Sequence, residues 1–201
     1  MRNNKVFDTK FIAGVGILAA VEIVLYIISC FFKVGVASIN LALVPIAIGA
    51  IIYGPVAGGI LGLLNGICVI LTPDQFLFFT NTELNGDYSA IGFFVVCFTK
   101  CTIAGIASAY LYRLFNKHEV VGAIVASLII PVINTGIYMG LACIFFNKNI
   151  GNLIAIALLI NFLVEFFCTL ILSPAVIRIT GIYRLRNKQI LHGGDVKDEE
   201  K

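Results

Sequence analysis

The sequence predicts an all-α integral membrane protein, with six transmembrane helices in one bundle and both termini cytoplasmic. Three observations carry this prediction. The 201 residues are 60% hydrophobic and 12% charged, with a mean hydropathy of +1.01, whereas soluble domains average roughly 45–50% apolar and about 25% charged residues. That surplus cannot be hidden in one water-soluble core. Apolar stretches recur at roughly 9–32, 40–53, 57–73, 88–115, 119–146 and 152–177, each read as a span. Lysine and arginine also sort to one side. With the N-terminus inside, Lys33 and Lys148 fall in outer loops and Lys100 lies mid-span, leaving eleven of the 14 in inner segments or at the inner ends of spans.

The length suits one bundle, residues 1–178, followed by a polar tail, 179–201, expected to be solvated and partly disordered. The first apolar stretch, Phe11 to Phe32, is as long as a full span and is followed directly by others. A removable signal peptide is therefore not expected. The second stretch is too short to cross about 30 Å of hydrocarbon at 1.5 Å per residue. It must start below the surface or pair with the third as a tight hairpin. Tyr53-Gly54-Pro55-Val56-Ala57-Gly58 has the glycine and proline that a sharp reversal needs.

Two outer connections stand out. Pro73 to Tyr88 mixes Asp74, Glu83 and Asp87 with Phe76, Leu77, Phe78 and Phe79. Phenylalanines in an exposed loop need an apolar surface to rest on. Two readings stand, an interfacial segment on lipid headgroups and a lid over an outward-facing pocket. The loop from Lys33 to Asn40 is a second lid candidate.

Charged and amide side chains inside a span cost free energy, on the order of 2.5–3.5 kcal/mol for a charge, so each requires a reason. Glu22, Asn65, Lys100, Asn134, Asn161 and Glu165 lie near the middles of their spans and can meet at one depth. Asn161 and Glu165, four residues apart, share a helix face. Asn134 follows Pro131, whose missing N–H frees a carbonyl and invites a locally opened helix at the midplane. Lys100 either neutralises Glu22 or Glu165 or holds the anionic group of a ligand. Two acids against one base leave a carboxyl uncompensated. Asn65, taken singly, reads as interhelical hydrogen-bond glue.

Small residues follow a different logic. Gly58, Gly62 and Gly66 make a smooth stripe suited to internal helix packing. Ala13, Gly16 and Ala20 give the first helix a small face, and Glu22 lies ~200° around from Ala20 at 100° per residue. The acid has the stronger need to face the bundle, which leaves the small face free to dock against another membrane subunit.

Absences narrow the chemistry. There is no G-x-x-x-x-G-K-[ST] phosphate loop. His118 and His192 fall in a loop and the tail, which removes a zinc-protease motif and a histidine-ligated haem. No serine stands in a G-x-S-x-G setting. All six cysteines lie in apolar stretches without a C-x-x-C pair. Cys97 and Cys101 are one turn apart but lack a nearby histidine, so the cysteines read as small apolar fillers. Neither a metal nor a cofactor is called for, and catalysis has little to work with.

At this point the sequence resembles a known family. A short second helix, Asn40-Leu41-Ala42-Leu43-Val44-Pro45, Gly54-Pro55-Val56-Ala57-Gly58 with a glycine-rich third helix, and Pro131-Val132-Ile133-Asn134-Thr135-Gly136 look like the S-component of energy-coupling factor (ECF) transporters. The similarity runs from about Thr9 to Arg178. It implies a subunit of the bacterial plasma membrane that binds a vitamin from outside, energised by a transmembrane coupling subunit and two ATP-binding-cassette ATPases. It also implies that Ala13, Gly16 and Ala20 dock on the coupling subunit, with Gly16 in place of the family's usual first alanine. Substrate contacts map to Lys100, Asn134, Asn161 and Glu165, with Asn40 and Phe78 as lid contacts. The histidine-bearing N-terminus of the family's metal carriers is missing, which argues against nickel or cobalt.

A buried lysine suits a carboxylate ligand, so pantothenate leads and riboflavin follows. Folate and thiamine stay open, thiamine less so because a cation clashes with Lys100. Readings from other classes are a non-transporting membrane assembly subunit and a self-sufficient proton-coupled carrier using Glu22 or Glu165.

Overall fold

The computed structural model describes residues 8–34, 37–81, 89–115, 118–145 and 148–198, with side chains described except at 33–34, 37–38, 74, 78–79, 89, 142–143, 145, 148–158 and 187–198. Helix α1, Thr9–Ser29, is capped by the Asp8 carboxylate, which accepts from the Thr9 N–H at 2.8 Å. A short antiparallel ladder follows, β1 Lys33–Val34 with β2 Ala37–Ser38. Then come α2 Leu43–Tyr53, α3 Pro55–Ile70 and the short α4 Pro73–Thr80. Three long helices complete the fold: α5 Ser89–Leu114, α6 Glu119–Phe145 and α7 Lys148–Asp198.

Among the described residues, four helices are long and apolar enough to cross a membrane: Thr9–Ser29, Ala90–Leu114, Glu119–Leu141 and Leu159–Arg186. The other two stretches expected as spans are the shorter apolar helices Leu43–Tyr53 and Pro55–Ile70. The reason for the short second element is visible in its surroundings. α2 touches α1, α3, α5, α6 and α7, and eight of its 11 residues are buried. A helix apolar on every side belongs inside a bundle. At 1.5 Å per residue it is about 16 Å long, so it serves as a central post and not as a full crossing.

The chain enters α2 beside the end of α1, where Ser29 Oγ accepts from the Leu41 N–H at 3.0 Å and donates to the Leu25 carbonyl at 2.7 Å. It leaves through the expected reversal. Gly54 has φ 90° and ψ −168°, a conformation that is essentially restricted to glycine. Pro55 then opens α3 at a position where its missing N–H is harmless.

The glycine stripe of α3 packs as predicted. A Cβ on Gly58 would meet the Gly105 backbone, one on Gly62 the Cys101 backbone and one on Gly66 the Cys97 backbone. The partners on α5 are also four residues apart, so two smooth ridges lie against each other. This seam fixes the register of α3 against α5.

Two proline-containing helices do not break. α6 runs through Pro131, so the opening expected there is not seen in its helical backbone. In α7 Pro174 cannot donate to the Leu170 carbonyl, and Ser173 Oγ donates to it instead at 2.8 Å. α7 also runs well past 178, where a partly disordered tail was expected. Beyond that point Thr180 is buried and its hydroxyl donates to the Val176 carbonyl at 2.8 Å. Tyr183 meets the Tyr53 ring edge-on, and Arg184 pairs with Glu119 while lying over Tyr112. These contacts give the extension something to dock on, and no proline follows Pro174 to end the helix.

The segment after α3 folds back as its phenylalanines require. Phe76 sits 6.3 Å from both Phe93 and Phe94 of α5, edge to face. The β1–β2 hairpin contacts α7. Both lid candidates therefore lean on the bundle.

Candidate functional site

Of the polar residues expected at mid-span, Asn134 and Asn161 are hydrogen-bonded to Glu165, and Asn65 joins them through Asn40 and Cys101. Glu165 on α7 is the hub. Its Oε1 accepts from Asn161 Nδ2 at 2.9 Å, one turn earlier, and from the Asn40 backbone N–H at 3.2 Å. Its Oε2 accepts from Asn134 Nδ2 on α6 at 3.4 Å. Asn40 stands just before α2, and its side chain forms a two-way amide pair with Asn65 of α3. Asn40 Nδ2 donates to Asn65 Oδ1 at 2.9 Å, and Asn65 Nδ2 donates back at 3.4 Å. The Ala42 N–H also donates to Asn40 Oδ1 at 3.2 Å. The loop entering α2 is thus tied to both α3 and α7.

Cys101 completes the chain of contacts, and sequence reasoning missed its part. Its Sγ lies 3.2 Å from Asn65 Oδ1 and 3.1 Å from Asn134 Oδ1. A thiol has one hydrogen and donates to one carbonyl at a time. Cys101 also presents the backbone that Gly62 packs on. The filler role is real, and the bridge between two amides comes in addition to it. The available signal was that Cys101 lies four residues before Gly105, on the stripe facing α3.

Lys100 is the next residue on α5 and is 8% exposed. Its Nζ sits 5.4 Å from the centroid of the Tyr138 ring, a cation–π arrangement. Among the described residues no acid lies within 4.0 Å of it. The expected neutralising ion pair with Glu22 or Glu165 is not formed, although Glu165 is close enough to interact electrostatically. Among the described residues Lys100 therefore has a ring, and no carboxylate, in direct contact.

Glu22 points inward and is 0% exposed. It lies beside Asn65 and within electrostatic range of Cys68 and Cys101, yet neither carboxyl oxygen has a hydrogen bond of sound geometry. On the opposite face of α1, Ala13, Gly16 and Ala20 are exposed, and a Cβ on Gly16 would meet open space. The acid and the small face part company as the helical angle requires. Phe78 lies in α4, and its side chain falls outside the described residues.

The described cavity, about 460 Å³, lies elsewhere, between the ends of α1 and α3. It is lined by residues such as Ile23, Ile27, Cys68 and Leu71. Tyr26 and Thr72, whose hydroxyls are 2.7 Å apart, also line it. Among the described residues no group of three metal-ligating side chains occurs.

Apolar helices gathered around a buried centre, to which α1, α3, α5, α6 and α7 each bring a polar group, define a multi-pass membrane protein with a polar interior. The family model "ECF transporter, substrate-specific component" matches residues 10–179. The chain belongs to that family and is a substrate-specific subunit of an ECF transporter, a transport subunit of the plasma membrane. Among curated proteins and among solved structures, no match was found.

Proposed function

We propose that this subunit captures a water-soluble vitamin from outside the cell, with pantothenate the leading candidate and riboflavin the second. One observation carries the reading. Lys100 is buried at a polar centre that several helices share, without an acid in contact, and a charge held there calls for a partner. A carboxylate ligand supplies it. Pantothenate also offers an amide and hydroxyls to Asn134, Asn161 and Asn40. The hairpin and α4 act as covers over an outward opening, with Asn40 and Phe78 as contacts from that side.

In this reading the six apolar helices form one membrane-embedded bundle, α2 and α3 as a short hairpin pair within it, and both termini face the cytoplasm. Ala13, Gly16 and Ala20 dock on a transmembrane coupling subunit, and two ATP-binding-cassette ATPases energise release. Such flat faces let helix backbones approach closely.

The test is vitamin binding to the purified full-length chain in detergent, wild type against Lys100→Ala. The expected outcome is binding of a single vitamin, weakened at least tenfold in the variant. A well-folded preparation that binds nothing in a panel of vitamins, folate and thiamine included, overturns the reading in favour of an assembly subunit. Co-purification with ATPases distinguishes the proposed role from a self-sufficient carrier.

A further inference from the structure

The polar centre is unevenly satisfied. Asn40, Asn65, Cys101, Asn134 and Glu165 all bond to one another. Three groups are left over. Lys100 faces a ring instead of an anion. Asn161 spends its amide N–H on Glu165 while its Oδ1 has no partner. Among the described residues neither Glu22 oxygen has a partner within hydrogen-bond geometry, although the Asn65 amide lies beside the carboxyl. All three residues are less than a tenth exposed. A sealed carboxyl without donors is costly, and it is tolerated where something else completes it.

The leftover groups belong to different parts of the centre. Lys100 and Asn161 flank Glu165, while Glu22 lies on the α1 side, next to Asn65. Cys101, in the middle, is an electrostatic neighbour of both Lys100 and Glu22. The two ends are therefore linked through Cys101, the residue next to Lys100, and Asn65, which Cys101 contacts at 3.2 Å and which lies beside Glu22. One end wants an anion, and the other end wants hydrogen-bond donors.

We propose that Glu22 is a ligand-contact residue, accepting from hydroxyl or N–H donors of a molecule whose acidic end lies at Lys100. This brings α1 into the site and defines the ligand class: a small acid with donors at its far end. It rests on the vitamin-capture reading. Pantothenate has this form, with a carboxylate at one end and two hydroxyls at the other.

The test titrates the full-length chain, in detergent, with pantothenate, riboflavin and a pantothenate analogue lacking both hydroxyls. Wild type is compared with Glu22→Gln and Glu22→Ala, each first checked for an unchanged elution profile. Pantothenate is expected to bind on the order of tenfold more weakly to Glu22→Gln and up to about a hundredfold more weakly to Glu22→Ala. With the dehydroxylated analogue both substitutions are expected to have no effect, a coupling that a purely structural glutamate does not produce. Equal losses for both ligands, or affinities within twofold of wild type, overturn the assignment of Glu22 alone. If riboflavin is the vitamin bound, the acid-at-Lys100 pairing is overturned. Failure of wild type to bind any vitamin of the panel overturns the capture reading and this inference with it.

Discussion

Glu165 accepts three hydrogen bonds from three separate segments, which explains why one carboxyl organises so much of the interior. Asn65 does comparable work on the other side, holding Asn40 and Cys101 at once. We predict that Asn65→Ala lowers stability by about 1–3 kcal/mol, since it strands the Asn40 amide away from water. Thermal unfolding in detergent reads this directly, and an unchanged midpoint refutes it. The polar residues of this centre were legible because lipid makes every such side chain conspicuous. The pairing of Asn40 with Asn65 was not, because it depends on how far the α1–α2 connection descends into the bundle. Cys101 was hidden for a different reason: a cysteine in an apolar run is usually just small, and only the position of its neighbours reveals a bond.

At the scale of elements, the small residues separate into two kinds. Gly58, Gly62 and Gly66 touch backbone, whereas Gly16 touches nothing. We predict that Gly62→Ala sharply lowers the yield of folded protein, because its new methyl meets the Cys101 carbonyl, which cannot swing aside as a side chain would. Gly16→Leu is expected to fold normally and, under the docking proposal, to lose co-purification with the coupling subunit. Normal expression of Gly62→Ala, or full complex formation by Gly16→Leu, counts against the respective claim. Both stripes have the same spacing, so pattern alone suggested their roles without showing which face was covered. The expected angle between Glu22 and Ala20 did distinguish inside from outside for α1. The end of α7 was the least legible boundary. Composition turns polar after Arg178, yet Tyr183 and Arg184 find partners on Tyr53 and Glu119 that lie far away in sequence.

For the whole molecule, the six apolar stretches translated into helices with small shifts of their ends, the C-terminal end of α7 excepted. What the pattern concealed was that α2 is surrounded by its neighbours, since a short apolar run reads alike whether lipid or protein covers it. The glycine seam has a consequence at this scale. Where two helices meet backbone to backbone, they move as one plate, and whatever opens to admit a solute must be built from parts that touch through longer side chains. α7, which reaches its neighbours through Tyr183 and Arg184, is such a part. We predict that amide hydrogen exchange is slowest in α3 and α5 and unaltered there by ligand, while protection on binding concentrates in the hairpin and α7. Rapid exchange along α3 would mean that the chassis itself flexes.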